Sequence, residues 1–296
     1  MPVQQERERR SRIWNLVRVD DCEDLQPSKL RELQIYGGAS GIWIDKKITA
    51  AVSGEDQGVA VSVLHTGRHY PDDLSEDGML YHYPRTQRPS IRDQSEIAAT
   101  KNAKKLNLPI FVILPGRKTT SRSLKIGWME AWDDDEEIFL IMFGDKPTTY
   151  FEPENLEAQF FLKQRGKKHR TSKTKVRPHQ QHFRHHVMSK YGYKCAVCEI
   201  NHKALIHAAH ICGVDDNGSD DWRNGIPLCG THHLAFDEPD PLFCFNPEDK
   251  KILMKPGITR SSISITESSL STKNGRLPHV EALAWKEKRT KKTWKK

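Results

Sequence analysis

Three cysteines and a histidine stand out by their spacing. Cys195-x-x-Cys198 and Cys229-x-x-His232 are two short pairs of soft donors, separated by residues 199–228. Two such pairs can close a tetrahedron around zinc. A small unit with little core would draw much of its folding energy from that metal. The alternative is a set of buried thiols without a ligand. Four further polar groups lie within and just beyond this frame: His210, Asn224, His233 and Asp237. Asp237 falls four residues after His233, which places an imidazole and a carboxylate on one helix face. Adjacent residues on a helix point about 100° apart. In the tandem His232-His233, one ring can therefore face the zinc and the other a second site.

The elements that must hold these groups follow from the pattern. Phe183 to Tyr191 predicts a short helix leading into the first cysteine pair. Ala204 to Ile211 is apolar and β-prone and carries His210 near its end. The run GVDDNGSDDWRNG predicts a turn, IPL a second strand, and His232 onward a helix. This strand–loop–strand–helix order, with AAHI, then NGIPLC, then HHLAFD, resembles the HNH nuclease family in its form with two zinc knuckles. The resemblance covers about Phe183 to Asp240.

It implies a zinc-stabilised ββα-metal domain that hydrolyses phosphodiesters. That chemistry needs a base to activate water and a divalent cation to stabilise charge on the phosphate and leaving oxygen. By resemblance, His210 is the general base, Asn224 holds the loop that orients it, and His233 binds the catalytic metal. Asp237 is the expected second ligand. Many relatives place Asp or His just before the base, where this chain has Ala209. His207 is nearby, but three residues back is the opposite face of a regular strand. His207 is thus expected to pack or to contact DNA, with replacement of the missing ligand as the alternative. His169, His179, His185, His186 and His202 carry no comparable pattern and are expected at the surface.

Bulk properties agree with a polyanionic partner. The chain has 296 residues, enough for one large or two ordinary domains, and a net charge of +8. Mild basicity also serves solubility alone. The segment MPVQQERERRSR lacks an apolar stretch behind it, so a secretory signal is not expected. No run approaches the roughly twenty apolar residues of a membrane span. Cys22, Cys212 and Cys244 form no regular framework, which fits a reducing cytoplasm better than disulfides.

Before the basic segment the texture is β-rich. GIWI, GVAVSVLH, MLYHY, PIFVIL and EIFLIMF are short β-prone runs, and Arg92 to Leu106 has helical spacing. A curved sheet or small barrel is expected. The stretch HTGRHYPDDLSEDGMLYHYPRTQRPSIRDQ places aromatics around an acidic turn. Such groups can stack on a base and accept from its amine, or simply form a hairpin with aromatic cross-strand pairs. The order Tyr70-x-Asp72-Asp73, Gly78, Tyr83, Asp93-Gln94, Asn102-Ala103 and then PIFVI resembles the SRA domain, over about Gly41 to Phe143. That family flips modified cytosine into a pocket. By resemblance, Tyr70 and Tyr83 sandwich the base and Asp73 reads the cytosine edge. Pro84 and Arg85 stand where the family has Thr and Gly, and Arg68-His69 replace its glycines, which implies a different pocket wall. A PUA-like barrel reading another modification is the alternative.

The expected organisation is α+β. Residues 1–160 form the SRA-like reader, 161–182 a basic linker, and 183–296 the HNH domain. The linker is rich in Lys and Arg without acids, and can lie along phosphates or merely join domains. Leu242 to Lys255 predicts a hairpin. Pro278 to Arg289 predicts a helix with Val280, Leu283 and Ala284 inward, followed by a disordered basic tail. The expected activity is cleavage of double-stranded DNA carrying 5-methylcytosine or 5-hydroxymethylcytosine, in the prokaryotic cytoplasm. Structural Zn²⁺ and catalytic Mg²⁺ or Mn²⁺ are the expected metals. One finger cuts one strand, so a double-strand break implies a homodimer or two nicks. The rivals are an HNH enzyme reading phosphorothioate or an unmodified sequence, and a zinc-stabilised DNA-binding protein without catalysis.

Overall fold

The computed structural model describes residues 2–19, 22–37, 41–54, 56–65, 73–86, 90–147, 158–164, 180–237 and 239–295. Two compact units divide the chain, Met1–Thr149 and Tyr150–Lys296. No described helix is long and apolar enough to cross a membrane. Most of the basic segment, 165–179, and the expected base-sandwiching Tyr70 lie outside the described residues.

In chain order the first unit runs α1 (Pro2–Val17), α2 (Pro27–Glu32), β1 (Ile42–Trp43), α3 (Lys46–Ser53), β2 (Ser62–Leu64), β3 (Gly78–His82), α4 (Ser90–Lys105), β4 (Ile110–Pro115), β5 (Arg122–Asp133) and β6 (Ile138–Phe143). The strands form one curled sheet in the order β1-β2-β4-β5-β6-β3. Among the described residues, only β2 and β4 pair in parallel. A register shift between Met129 and Ala131 bulges β5 against β6 and adds to the curl.

The apolar run PIFVIL becomes a strand buried on both faces. Ile110, Val112 and Leu114 join one apolar cluster, with Ile97 and Ala103 of α4. Phe111 and Ile113 join another, with Val17 of α1 and Leu30 of α2. A strand covered on both sides reads as continuous apolar sequence rather than alternation. Arg10 on α1 is fully buried and donates to the carbonyls of Ala60 and Pro109 and to Glu6 Oε1 at 2.7 Å. It ties the first helix to the backbone just ahead of β2 and β4.

The second unit runs α5 (Gln180–Tyr191), β7 (Ile206–His210), β8 (Gly225–Cys229), α6 (Gly230–Asp237), β9 (Phe243–Phe245), β10 (Ile252–Met254) and α7 (Val280–Thr293). β7 and β8 pair antiparallel, with His210 opposite Gly225 and Ile206 opposite Cys229. The expected hairpin is β9 with β10. Residues 158–164 belong to this unit: Phe160 and Leu162 pack on its core, and Phe160 stacks on His279 at 4.0 Å.

Two expectations for the C-terminus are corrected. The basic tail continues α7 to Thr293 instead of being disordered, because Lys286 and Thr290 extend its buried face. Val280 is 48% exposed, since the helix begins there and its inward side starts with Ala282 and Leu283. The expected surface histidines also divide. His185 and His186 are buried on α5, along with His182.

Candidate active site and metal centre

Cys195, Cys198, Cys229 and His232 converge, with their ligand atoms all within 4.8 Å of one another and all four residues buried. β8 brings Cys229 to the N-terminus of α6, where one helical turn presents His232. Its Nδ1 lies 3.1 Å from Cys229 Sγ and 3.5 Å from Cys195 Sγ. The other nitrogen, Nε2–H, donates to the Ile263 carbonyl at 2.9 Å. That outer bond fixes the tautomer with Nδ1 facing the thiols, as in ligating histidines. A hydrogen bond with Cys195 draws the Cys229 thiol well down, and His232 adds to this against the opposing effect of burial. Cys195 moves up by the same hydrogen bond and by burial. His232 is raised: burial opposes its charging, but Cys229 outweighs it. Three sulfurs, one oriented imidazole and exclusion of water make a Cys₃His cluster compatible with zinc.

His210 closes β7 from the other side. Its Nε2 lies 3.1 Å from Asp220 Oδ1, and the two side chains are 17% and 12% exposed. The Phe183 ring of α5 stacks on the imidazole at 3.6 Å and 9°. Close approach of α5 to β8 permits this stacking. A Cβ on Gly225 would stand 2.5 Å from Val187 Cγ2 and 2.7 Å from Phe183 Cζ.

Asn224 is fully buried and bridges the loop that follows His210. Its Oδ1 accepts from Cys212 N–H at 2.9 Å. Its Nδ2 donates to the carbonyls of Cys212 at 3.1 Å and Ser219 at 2.8 Å. The Asn224 carbonyl also takes Ile211 N–H at 2.8 Å. Every one of these bonds satisfies a buried backbone group in a loop without regular pairing.

His233 and Asp237 meet one turn apart on α6, with Nε2 2.9 Å from Oδ2. Lys286 Nζ of α7 lies 3.9 Å from Asp237 Oδ1 and 4.1 Å above the Phe236 ring. Burial pulls that ammonium below its usual range. His207 stands beside His233, with ring centroids 5.8 Å apart. Ala209 is fully buried in the core.

In the first unit, Tyr83 lines a cavity of about 360 Å³ with Thr86, Asp93, Lys101, Asp134 and Glu137. Its hydroxyl donates to Asp134 Oδ1 at 2.8 Å and its ring packs on Phe139 at 4.4 Å. Burial, then the bond to Asp134, pushes the Tyr83 hydroxyl up. Lys101 Nζ reaches the same carboxylate at 2.6 Å and holds Asp134 low. Asp73 is fully buried, is not part of this lining, and meets His82 Nε2 at 2.8 Å.

The sequence pattern did not single out Asp220, Phe183 or Lys286. Asp220 belongs to SDDW, which reads as turn composition. Phe183 and Lys286 read as helix residues. Only the register of β7 against β8 and the docking of α5 and α7 reveal their neighbours.

Residues 195–246 match the HNH_2 family of HNH endonucleases. No curated protein matches this chain. Among solved structures the chain is similar to one described as "Modification dependent TagI restriction endonuclease", with 16% identity, 90% of this chain and 91% of that chain covered, and a TM-score of 0.36. At that score residue roles do not transfer. The family match falls on the segment that holds the Cys₃His cluster, Asn224, His233 and Asp237, and it includes His210. Residues 195–246 of this chain therefore form an HNH endonuclease domain.

Proposed function

We propose that this chain is a modification-dependent DNA endonuclease in which His210 is the general base. The observation that carries the catalytic half is His210 itself. Its ring is held by Phe183 and its Nε2 is directed at Asp220. In a ring so held, Nδ1 is the nitrogen left for water. It takes the proton as the water oxygen bonds to phosphorus and the P–O bond to the leaving oxygen breaks. Asn224 keeps the adjoining loop closed. His233 and Asp237 are the expected ligands of a divalent cation such as Mg²⁺ or Mn²⁺, and His207 stands close enough to add a third ligand. When bound, that ion would stabilise charge on the phosphate and the leaving oxygen. The Cys₃His cluster would hold structural Zn²⁺ in the cytoplasm of a prokaryote.

The target-reading half rests on the SRA resemblance and the Tyr83 cavity. The proposed target is modified cytosine in double-stranded DNA. A base flipped into this cavity would meet carboxylates able to accept from an exocyclic amine. One observation favours a second reading. Asp73 faces His82, and the Tyr83 hydroxyl is taken by Asp134, so the cavity departs from a simple Tyr–Asp–Tyr cytosine pocket. The mark could then be a different one, including phosphorothioate.

A cleavage panel separates these readings. Matched plasmids carrying 5-methylcytosine, 5-hydroxymethylcytosine, phosphorothioate or no modification are incubated with the full chain and Mg²⁺ or Mn²⁺. Selective cutting of modified cytosine supports the proposal, and equal cutting of all four overturns it. Cutting confined to phosphorothioate selects the second reading. Linear product at first-order enzyme concentration would indicate two independent nicks, and second-order dependence a homodimer.

A further inference from the structure

We infer that Asp220 is the positioning residue for His210, setting which ring nitrogen is free to act as the base. The inference rests on the reading of His210 as general base and extends it to a residue outside the HNH pattern. Asp220 Oδ1 faces His210 Nε2 at 3.1 Å. A carboxylate at neutral pH only accepts hydrogen bonds. The shared proton therefore sits on Nε2, and Nδ1 keeps its lone pair. Among the described residues His210 Nδ1 has no hydrogen-bond partner.

The carboxylate is itself braced. Gln164 Nε2 donates to Asp220 Oδ2 at 2.9 Å. The Gln164 backbone N–H in turn donates to the Asn217 carbonyl at 3.0 Å, and Asn217 Nδ2 returns to the Gln164 carbonyl at 3.3 Å. Next to Asp220, Ser219 N–H donates to the Leu162 carbonyl at 2.9 Å, and the Ser219 carbonyl accepts from buried Asn224. Gly218 has no room for a side chain, since a Cβ there would lie 1.8 Å from the Cys212 carbonyl oxygen. Asp220 thus sits on a short loop pinned at both ends, not on a free turn.

Stacking supplies the other constraint. With Phe183 flat against the ring at 3.6 Å, the stack holds the plane of the imidazole. Asp220 then sets its tautomer. As water gives its proton to Nδ1, the ring becomes a cation with its second N–H already on a carboxylate. Such a partner stabilises the cation without taking the proton. Loss of charge at residue 220 should therefore act on turnover rather than on DNA affinity.

The experiment uses the full chain, with Asp220→Asn, Asp220→Ala and His210→Ala variants, on whichever plasmid of the cleavage panel the wild type cuts. Asp220→Asn should lower kcat by about 10²-fold, and Asp220→Ala by up to about 10⁴-fold, with KM and zinc content unchanged. Imidazole ¹⁵N spectra of the wild type, without DNA, should show neutral His210 as the Nε2–H tautomer, and Asp220→Ala should show a mixture. Wild-type turnover in Asp220→Asn alongside a dead His210→Ala overturns the role of Asp220 and leaves the general base standing. Wild-type turnover in His210→Ala overturns the general base and Asp220 with it. If both Asp220 variants lose zinc or unfold, the wild-type spectrum decides, and an Nδ1–H tautomer contradicts the inference.

Discussion

His232 and His233 are neighbours in sequence and face different partners. His232 is 2% exposed and turns Nδ1 to Cys229 and Cys195. His233 turns Nε2 to Asp237 on the next turn. One step of α6 therefore separates the Cys₃His cluster from the His233–Asp237 pair.

This relationship predicts a double dissociation. His232→Ala or Cys229→Ser should lose bound zinc and unfold the second unit, because the cluster closes a small core. His233→Ala should keep one zinc per chain and its unfolding transition, and lose metal-dependent cutting by about 10²-fold or more. Zinc analysis by mass spectrometry and thermal denaturation read the two outcomes. Zinc loss in the His233 variant would show that the two histidines share one site.

Gly225 gives a test of how His210 is held. A methyl group there would collide with Val187 and Phe183. Gly225→Ala should push α5 outward, cost about 1–3 kcal/mol of stability, and slow cutting by loosening the ring that stacks on His210. Unchanged cutting with reduced stability would mean that stacking on His210 is incidental.

In the first unit, Glu6 and Arg10 form a buried ion pair at 2.7 Å. Burial pushes the Glu6 carboxyl up, but Arg9 and Arg10 outweigh it, and the net direction is down. A carboxylate lowered in the fold stabilises it above its unfolded pKa, about 4.3, and that contribution fades as pH falls through the lower folded value. Glu6→Gln should therefore destabilise the first unit by about 3 kcal/mol at neutral pH, leaving Arg10 buried without its charge partner. The gap between wild type and variant should close in acid below about pH 4. A gap that persists there would assign the effect to packing.

The sequence announced some of these features and concealed others for identifiable reasons. Cys195, Cys198, Cys229 and His232 were legible because short ligand spacings force convergence. PIFVIL and EIFLIMF were legible because strands covered on both faces must be apolar throughout. β5 was not, since Lys125 and Glu130 on its outer positions break up the apolar pattern of RSLKIGWMEAWD. α3 was hidden in a short run, yet Asp45 caps it through Lys47 N–H and Ile48 N–H and Gly54 ends it at φ 68°. Asp220 could not be read at all. Its role depends on a loop fold that brings it back across ten residues to His210. Lys286 lies 49 positions beyond Asp237, and only the docking of α7 brings the two together.

The proposed function depends on His210 acting as the base in metal-dependent cleavage. The most direct measurement compares plasmid cutting by wild type and His210→Ala, with Mg²⁺ or Mn²⁺ and with EDTA. Nicked and linear product is expected from the wild type with either metal and none with EDTA, and His210→Ala should lose about 10³-fold or more with zinc retained. Cutting by His210→Ala at the wild-type rate would contradict it.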